Sequence, residues 1–320
     1  MMKLVSLKKC FKLKSAILCA IVFTAMSGMF FSCTEDDPEK TDENTPPSTV
    51  DAVFSVSAKG KVRFSPGNLQ YQASTNTWRF AEHQYDFVGD SANGTVYENG
   101  VKCDNALVDS GYTGWIDLFC WGTSGYNGKH PYLASPVYDY TCESKDITGT
   151  NYDWGVYNNI YNPKTNATDS AGTWRTLTQD EWVYLLTRRG AVFHPDWWLY
   201  SVVTIKRVDG TNDVSGLIIY PNGISAKPAG VNAALTQNNK TSVDITKGDY
   251  EKLEAAGCVF LPAASRRHGT AVTNEWNSGY YWNSMYWSFW WACNLSFKSG
   301  NVDPNGRDDV GTGLSVRLVR

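Results

Sequence analysis

Histidine is scarce in this chain, with four in 320 residues, at positions 83, 130, 194 and 268. They are scattered, with no His-x-x-His or His-Glu-x-x-His pair, which removes the usual zinc arrangements. Cysteine is thin where it would matter. Of eight, three lie in the first 33 residues, which leaves Cys103, Cys120, Cys142, Cys258 and Cys293. An odd number without C-x-x-C spacing argues against a metal knuckle. A Cys103–Cys142 bridge stays open for an exported chain, although no spacing rule supports it. Net charge is small, −3, and no basic block stands out, so nucleic acid is not an expected partner. The apolar run at 16–31 is too short and wrongly flanked for a membrane span. No fixed-period repeat is visible. The sequence therefore predicts no metal, no cofactor and no acid–base or nucleophile centre, and it reads as a binding protein rather than an enzyme.

What is present begins with an address. Lys3, Lys8, Lys9, Lys12 and Lys14 precede the apolar run, which ends at Ser32-Cys33. A basic segment, a short apolar segment and a small residue before the break make a secretory signal over 1–32. The Cys directly after it predicts a lipoprotein, cleaved before Cys33 and acylated there. An ordinary signal peptide or a simple anchor helix is the alternative. Residues 33–51 are acidic, Pro-rich and nearly free of apolar groups, so they predict a disordered tether. Phe30-Phe31-Ser32-Cys33 resembles the looser lipobox of Bacteroidetes, and the acidic patch after it resembles their surface-export signal. Those resemblances imply an outer-membrane protein, lipid-anchored and displayed on the cell surface, with the N-terminal lipid as its membrane contact. Loss of the leader removes five Lys and no acid, so the formal charge moves from −3 to −8, most of it in the tether.

Residues 52–320 suit one large domain. Ala52-Val53-Phe54-Ser55-Val56 and Lys61-Val62-Arg63-Phe64-Ser65 alternate about Gly60 and predict a hairpin. Trp78-Arg79-Phe80 and Tyr85-Asp86-Phe87-Val88 predict further strands, and Leu217-Ile218-Ile219-Tyr220 a buried one. Residues 111–157 are rich in Gly, Asn, Tyr and Trp and predict a long loop packed by its own aromatics. Thr178-Gln179-Asp180-Glu181 is a capping box that opens a helix. A second helix starts at Thr246 and is stopped by Gly257, and Cys258-Val259-Phe260-Leu261-Pro262 follows as a strand. Two helices among many short strands predict an α+β fold.

Trp174-Arg175-Thr176-Leu177-Thr178-Gln179-Asp180-Glu181-Trp182 resembles the W-R-L-P-T-x-x-E-W segment of formylglycine-generating-enzyme-type domains, which belong to the C-type lectin superfold. Thr176 departs from the Leu of that pattern and Leu177 from its Pro. Gly313-Leu314-Ser315-Val316-Arg317-Leu318-Val319-Arg320 resembles the closing strand of the same fold. The resemblance runs over about 53–320 and implies a C-type lectin fold. Formylglycine-generating enzymes use a C-terminal cysteine pair, for which Cys258 and Cys293 are the candidates here. Both stand in unlike contexts, with no activating residue beside them.

The end of the chain is its densest feature. Five of thirteen tryptophans (276, 282, 287, 290, 291) fall within sixteen residues. Tyr281, Trp282, Leu295, Phe297 and Val302 alternate as a buried sheet face would, and Leu314, Val316 and Leu318 share another, with Arg317 and Ser315 opposite. Tyr286-Trp287-Ser288-Phe289-Trp290-Trp291 cannot all face inward from a strand of period two, so an exposed patch is expected. Residues 301–312 read as a polar, turn-rich run. Large rigid aromatics beside adaptable polar residues have the composition of a recognition surface. The candidate ligand-binding residues are Met285, Tyr286, Trp287, Phe289, Trp290, Trp291, Cys293, Ser296, Lys298, Asp303, Asn305, Arg307, Asp308, Asp309 and Thr312.

This stretch, about 280–320, also resembles the variable region of Bacteroides diversity-generating-retroelement target proteins. The matching segments are Gly279-Tyr280-Tyr281-Trp282-Asn283-Ser284, Ala292-Cys293-Asn294-Leu295-Ser296-Phe297, Ser299-Gly300-Asn301-Val302-Asp303-Pro304 and Ser315-Val316-Arg317-Leu318-Val319. In that family a reverse transcriptase rewrites the segment through adenine errors, and every residue of Asn305-Gly306-Arg307-Asp308-Asp309-Val310-Gly311-Thr312 is reachable from an Asn codon. Lys298 is not, and Met285, Trp287, Trp290 and Trp291 need other template codons. The expected partner is a protein or glycan ligand. A fixed glycan-binding adhesin is the alternative reading. Asp303-Pro304-Asn305 also resembles the Glu-Pro-Asn sugar motif of calcium-dependent lectins, with Asp308 and Asp309 as possible oxygen ligands, but it is equally an ordinary turn sequence.

Overall fold

The structure is a computed structural model and describes residues 52–133, 145–189, 194–273 and 275–320. The chain divides into two units, Met1–Asn44 and Thr45–Arg320. The signal, the tether with Cys33, and Cys142 lie outside the described residues.

The domain opens with the expected hairpin, β1 (Phe54–Ser55) and β2 (Lys61–Val62), with Phe54 opposite Val62. β3 (Leu69–Gln72) and β4 (Thr77–Phe80) follow, then a small hairpin of β5 (Tyr97–Glu98) and β6 (Val101–Lys102). Its turn, Asn99-Gly100, has φ of 49° and 78°, the left-handed pair that tight hairpins use. After a long loop come α1 (Trp154–Tyr157), β7 (Ile160–Asn162) and β8 (Ala167–Asp169). The first sheet runs β3-β4-β7-β8, with β4 and β7 parallel. β9 (Arg175–Thr176) leads into α2 (Gln179–Val183), which continues as a π-helical turn over Tyr184–Arg188. β10 (Tyr200–Lys206), β11 (Val214–Ile219), β12 (Val243–Thr246), α3 (Lys247–Ala255) and β13 (Val259–Pro262) build a second sheet in the order β12-β10-β11-β13. A short hairpin, β14 (Arg267–His268) with β15 (Ala271–Val272), precedes the third sheet. That sheet is an antiparallel meander of β16 (Ser278–Ser288), β17 (Trp291–Lys298) and β18 (Asn301–Asp309). β19 (Leu318–Val319) closes the chain against β9. The architecture is mixed and sheet-rich, an α+β arrangement.

Local chemistry accounts for the helix starts. Thr178 Oγ1 accepts from Glu181 N at 3.2 Å while Glu181 Oε2 accepts from Thr178 N at 2.9 Å, a complete capping box. Arg175 then holds both carboxylate oxygens of Glu181 at 2.7 Å, which ties β9 to α2. Trp182, one position on, is fully buried. α3 is capped by Thr246, whose Oγ1 accepts from Asp249 N at 3.0 Å, and Gly257 ends the turn at φ 83°.

The second sheet at β11, and the third where β16 meets β17, are buried on both faces. In β11, Leu217 and Ile219 enter one core with Trp182 and Leu261, while Ile218 enters another with Phe260 and Tyr250. This explains why β11 is a continuous apolar run and not an alternating one. In the third sheet, Tyr281, Leu295 and Phe297 face the first core, and Trp282 and Ala292 face a separate core with Trp121, Trp154 and Leu314. The described part of the 111–157 loop is held largely by aromatics: Trp121 and Trp154 are buried, and Tyr126 packs edge-on against Tyr152 and Tyr157.

Three expectations are corrected. Residues 85–88 form no strand; Phe87 N donates to Thr95 Oγ1 and Val88 N to the buried Asp117. The polar run at 301–312 is not turn-rich throughout, because 301–309 pair with β17 as a nine-residue strand. The final segment is regular only at Leu318–Val319, and before that it makes isolated bridges from Leu314 to Phe119 and from Ser315 to Tyr281. Its second face is also closed. Ser315 is 0 % exposed and Arg317 1 %, with Arg317 Nη2 donating to Phe260 O at 2.7 Å and to Gln84 Oε1 at 3.0 Å. Burial pushes that guanidinium down to about 10.

Candidate functional site

The third sheet carries the aromatic excess, and its register decides which side chains are presented. Ser288 pairs with Trp291, so Phe289 and Trp290 form a two-residue turn at the tip of the β16–β17 hairpin. Phe289 is 82 % exposed and sits at φ 47°, a left-handed conformation that Gly or Asn normally takes. The Tyr286 hydroxyl donates to Phe289 O, and Val310 N donates to Trp290 O at 2.8 Å, so the turn is tied to both sides of the sheet. Trp287, Trp290 and Trp291 are 50, 37 and 47 % exposed. Four of the nine exposed large apolar side chains among the described residues thus lie within five consecutive positions. That concentration on one hairpin tip separates a patch from scattered surface aromatics.

The face beside the tip is polar and charged. Cys293 pairs with Arg307 and Trp291 with Asp309. The Arg307 guanidinium lies over the Trp287 ring at 3.3 Å from its centroid, a cation–π contact at the surface. Nearer the core, Gln179 at the start of α2 donates to Asn305 Oδ1 at 3.0 Å. On the far side of β16, Asp146 Oδ1 accepts from Tyr286 N at 2.8 Å and Ile147 N donates to Ser284 O. Gln179 and Asp146 therefore border the surface, although the sequence reading singled out neither. The capping box did place Gln179 on a first helical turn, but nothing local pointed it at residue 305.

The candidate residues divide by position. Trp287, Phe289, Trp290, Trp291, Lys298, Asn305 and Arg307 are exposed, and Met285, Tyr286, Ser296, Asp303 and Asp309 are half-buried. Tyr286 packs against Trp121 with ring centroids 5.9 Å apart, so much of it is scaffold. Three candidates are corrected because they are buried. Cys293 is 0 % exposed beneath Arg307, and burial pushes its thiol up. Asp308 is 7 % exposed and points the other way, toward Arg266, whose Nη1 donates to it at 3.2 Å. Burial raises the Asp308 carboxyl, with Arg266 opposing. Thr312 is 2 % exposed and joins that cluster through Asp308. Strand alternation turns Asp308 inward, since 307 and 309 face outward; Cys293 shares the outward face with its partner Arg307 and is covered by it, and Thr312 lies beyond the end of β18.

The arrangement offers contact area and hydrogen bonds. Asp303 Oδ1 accepts from Asn305 N at 2.9 Å, Asp308 is committed to Arg266, and Asp309 Oδ1 accepts from Gly311 N at 2.8 Å. Among the described residues no group of three or more His, Cys, Asp or Glu is placed to hold a metal ion. Cys103, Cys120, Cys258 and Cys293 are all buried and free, and burial raises each thiol. Cys258 belongs to the core under α3, whereas Cys293 lies under Arg307 on the third sheet. Among the described residues no helix is long and apolar enough to cross a membrane. Compared with known protein families, curated proteins and solved structures, the chain has no match.

Proposed function

We propose that this chain is a lipid-anchored, surface-displayed binding protein, with a C-type lectin-like frame that presents the β16–β17 hairpin tip and the adjoining face of β18 to a protein or glycan ligand. The observation that carries the reading is the exposed cluster Trp287, Phe289, Trp290 and Trp291, next to Arg307 and Asn305. Rigid aromatics supply contact area at low entropic cost, and the polar face supplies specificity. Nothing in this surface asks for a nucleophile or a general base, which favours binding over catalysis. The lipid anchor at Cys33 and outer-membrane placement belong to the same proposal and rest on the N-terminal sequence.

Retroelement-driven variation is part of the reading, and burial narrows where it is tolerable. Exchange at Asn305, Arg307 or the hairpin tip leaves the cores untouched. Exchange at Asp308, Val310 or Thr312 enters them, since all three are buried. A near-copy of the codons for this segment beside a reverse-transcriptase gene, differing at template adenines, is the expected genomic arrangement. Its absence leaves a fixed adhesin.

The direct test uses beads coated with the full chain, presented to intact neighbouring bacteria and to a printed glycan array. Retention on at least one probe is expected, and its loss in a Trp287→Ala/Trp290→Ala variant whose melting temperature stays within a few degrees. No retention on any probe, or retention indifferent to the two substitutions, overturns the proposal.

A further inference from the structure

A second concave surface shares no residue with the hairpin tip. It lies on the outer face of the first sheet. Leu69 and Tyr71 turn into the core, so Gln70 between them faces the opposite way. Gln70 pairs with Arg79 and Arg79 with Tyr161, which sets one residue from each of β3, β4 and β7 in a row across the sheet. That row floors a groove of about 580 Å³, walled by the 82–86 loop and by β5. The volume lies within the range of small-molecule sites, roughly 300–1,000 Å³.

The chemistry of the floor is specific. Gln70 is 0 % exposed. Its Oε1 accepts from Arg79 Nε at 2.8 Å, and this fixes the amide orientation, because a flipped amide would set N–H against N–H. Its Nε2 then has no partner and is buried. Other buried side chains, Trp154 and Trp182 among them, also hold a donor without a partner, but Gln70 is the one of these three that lines a groove of this size. Arg79 is held flat on Trp115, 3.7 Å from the ring centroid. Tyr97 and Tyr161 on the rim are 48 and 37 % exposed, and both line the groove. The carboxylates Glu82, Asp86 and Asp209 line it too, with the His83 ring 3.2 Å from Asp86, so three acids face one guanidinium and one imidazole.

From these we infer that the groove binds a short neutral saccharide. A sugar ring stacks its apolar face on Tyr97 or Tyr161. One of its oxygens accepts from Gln70 Nε2, and its hydroxyls donate to Glu82 or Asp86. The acid excess disfavours an anionic ligand, and the polar floor disfavours a purely apolar one.

The test is saturation-transfer NMR and calorimetry on the full chain with maltose, lactose and cellobiose, and with a hyaluronan disaccharide as the anionic control. At least one neutral disaccharide is expected to bind in preference to the anionic one. Gln70→Glu keeps an acceptor for Arg79 but deletes the donor, and Tyr97→Ala removes an exposed ring without touching a core. Each is expected to weaken the sugar by about tenfold or more with an unchanged melting temperature, while Trp287→Ala leaves it bound. No binding of a neutral disaccharide, a preference for the anionic one, or indifference to both groove variants overturns the inference. Loss of the sugar in Trp287→Ala alone places it on the hairpin and overturns it equally.

Discussion

Phe289 combines two properties that seldom meet: it is the most exposed large side chain of the hairpin tip, and its backbone is left-handed. For a non-glycine residue that conformation costs about 1–2 kcal/mol, and such strain tends to be kept at functional positions. Glycine relieves it, against about 0.5–1 kcal/mol for its extra freedom in the unfolded chain. Phe289→Gly is therefore expected to leave stability unchanged or raise it by up to about 1 kcal/mol in urea melts. The Tyr286 hydroxyl keeps its acceptor, because Phe289 O belongs to the backbone. A clear loss of stability would show that the ring itself packs. The buried arginines show the opposite economy at this scale. Arg189 donates to Leu185 O and Leu199 O, Arg267 to Leu118 O and Gly269 O, and Arg317 to Phe260 O. Each places its guanidinium on at least one main-chain carbonyl, which offsets part of the cost of burying the charge.

At the scale of elements, the β9–α2 corner is the most self-contained device. Its cap and its Arg175–Glu181 pair meet on one carboxylate. Thr178→Ala removes the acceptor for Glu181 N and is expected to cost about 1 kcal/mol, read as a shift of the urea midpoint. Thr178→Ser restores most of it; an equal loss in both would point to the methyl group instead. This corner, the Gly60 hairpin and α3 were legible in the sequence because their signals are local: a cap, a turn glycine, a stop glycine. β18 was not. Asp303-Pro304-Asn305-Gly306 carries every local mark of a turn and keeps its Asp303–Asn305 bond, but pairing of 301–303 and 306–309 with β17 absorbs it as an irregular step within a strand. The inward turn of Asp308 followed from that missed strand. The burial of Arg317 was not legible for a similar reason, since its partners come from Phe260, Gln84 and Asn68, far away in sequence. The exposed aromatics were readable because five within the six residues 286–291 exceed what one strand face can bury. The groove on the first sheet was not readable, because its floor is assembled from three separate strands.

At the scale of the whole molecule, Asp117 and Asp153 are each 0 % exposed, the most completely enclosed carboxyls among the described residues. Asp117 accepts from Val88 N and Asn105 Nδ2, and Asp153 from Gly155 N, Thr176 N and Thr176 Oγ1. Burial outweighs these bonds and pushes both groups up to about 6. An unfolded Asp titrates near about 3.9, so between these values the folded chain binds more protons than the unfolded one. The stability these groups contribute is full below about pH 4 and is lost as pH rises through about 6. Denaturant midpoints are expected to fall across that window, and to fall less in an Asp117→Asn/Asp153→Asn variant. A midpoint that rises through the same window in the unsubstituted chain would show that both carboxyls ionise freely inside the fold.

β18 is the last strand of its sheet, so one side of its backbone has no neighbour in the ladder. An open strand edge invites a second copy to dock and begin a fibre. Here Pro304 removes an amide donor in mid-strand, next to the irregular step between Asn294 and Ser296, and Arg307 and Asp309 put opposite charges on the outward face. The blunted rim keeps neighbouring copies of the chain from zipping together. Because the kink and the proline do this work through the main chain, the outward side chains of the strand can be exchanged without turning the protein into an aggregate.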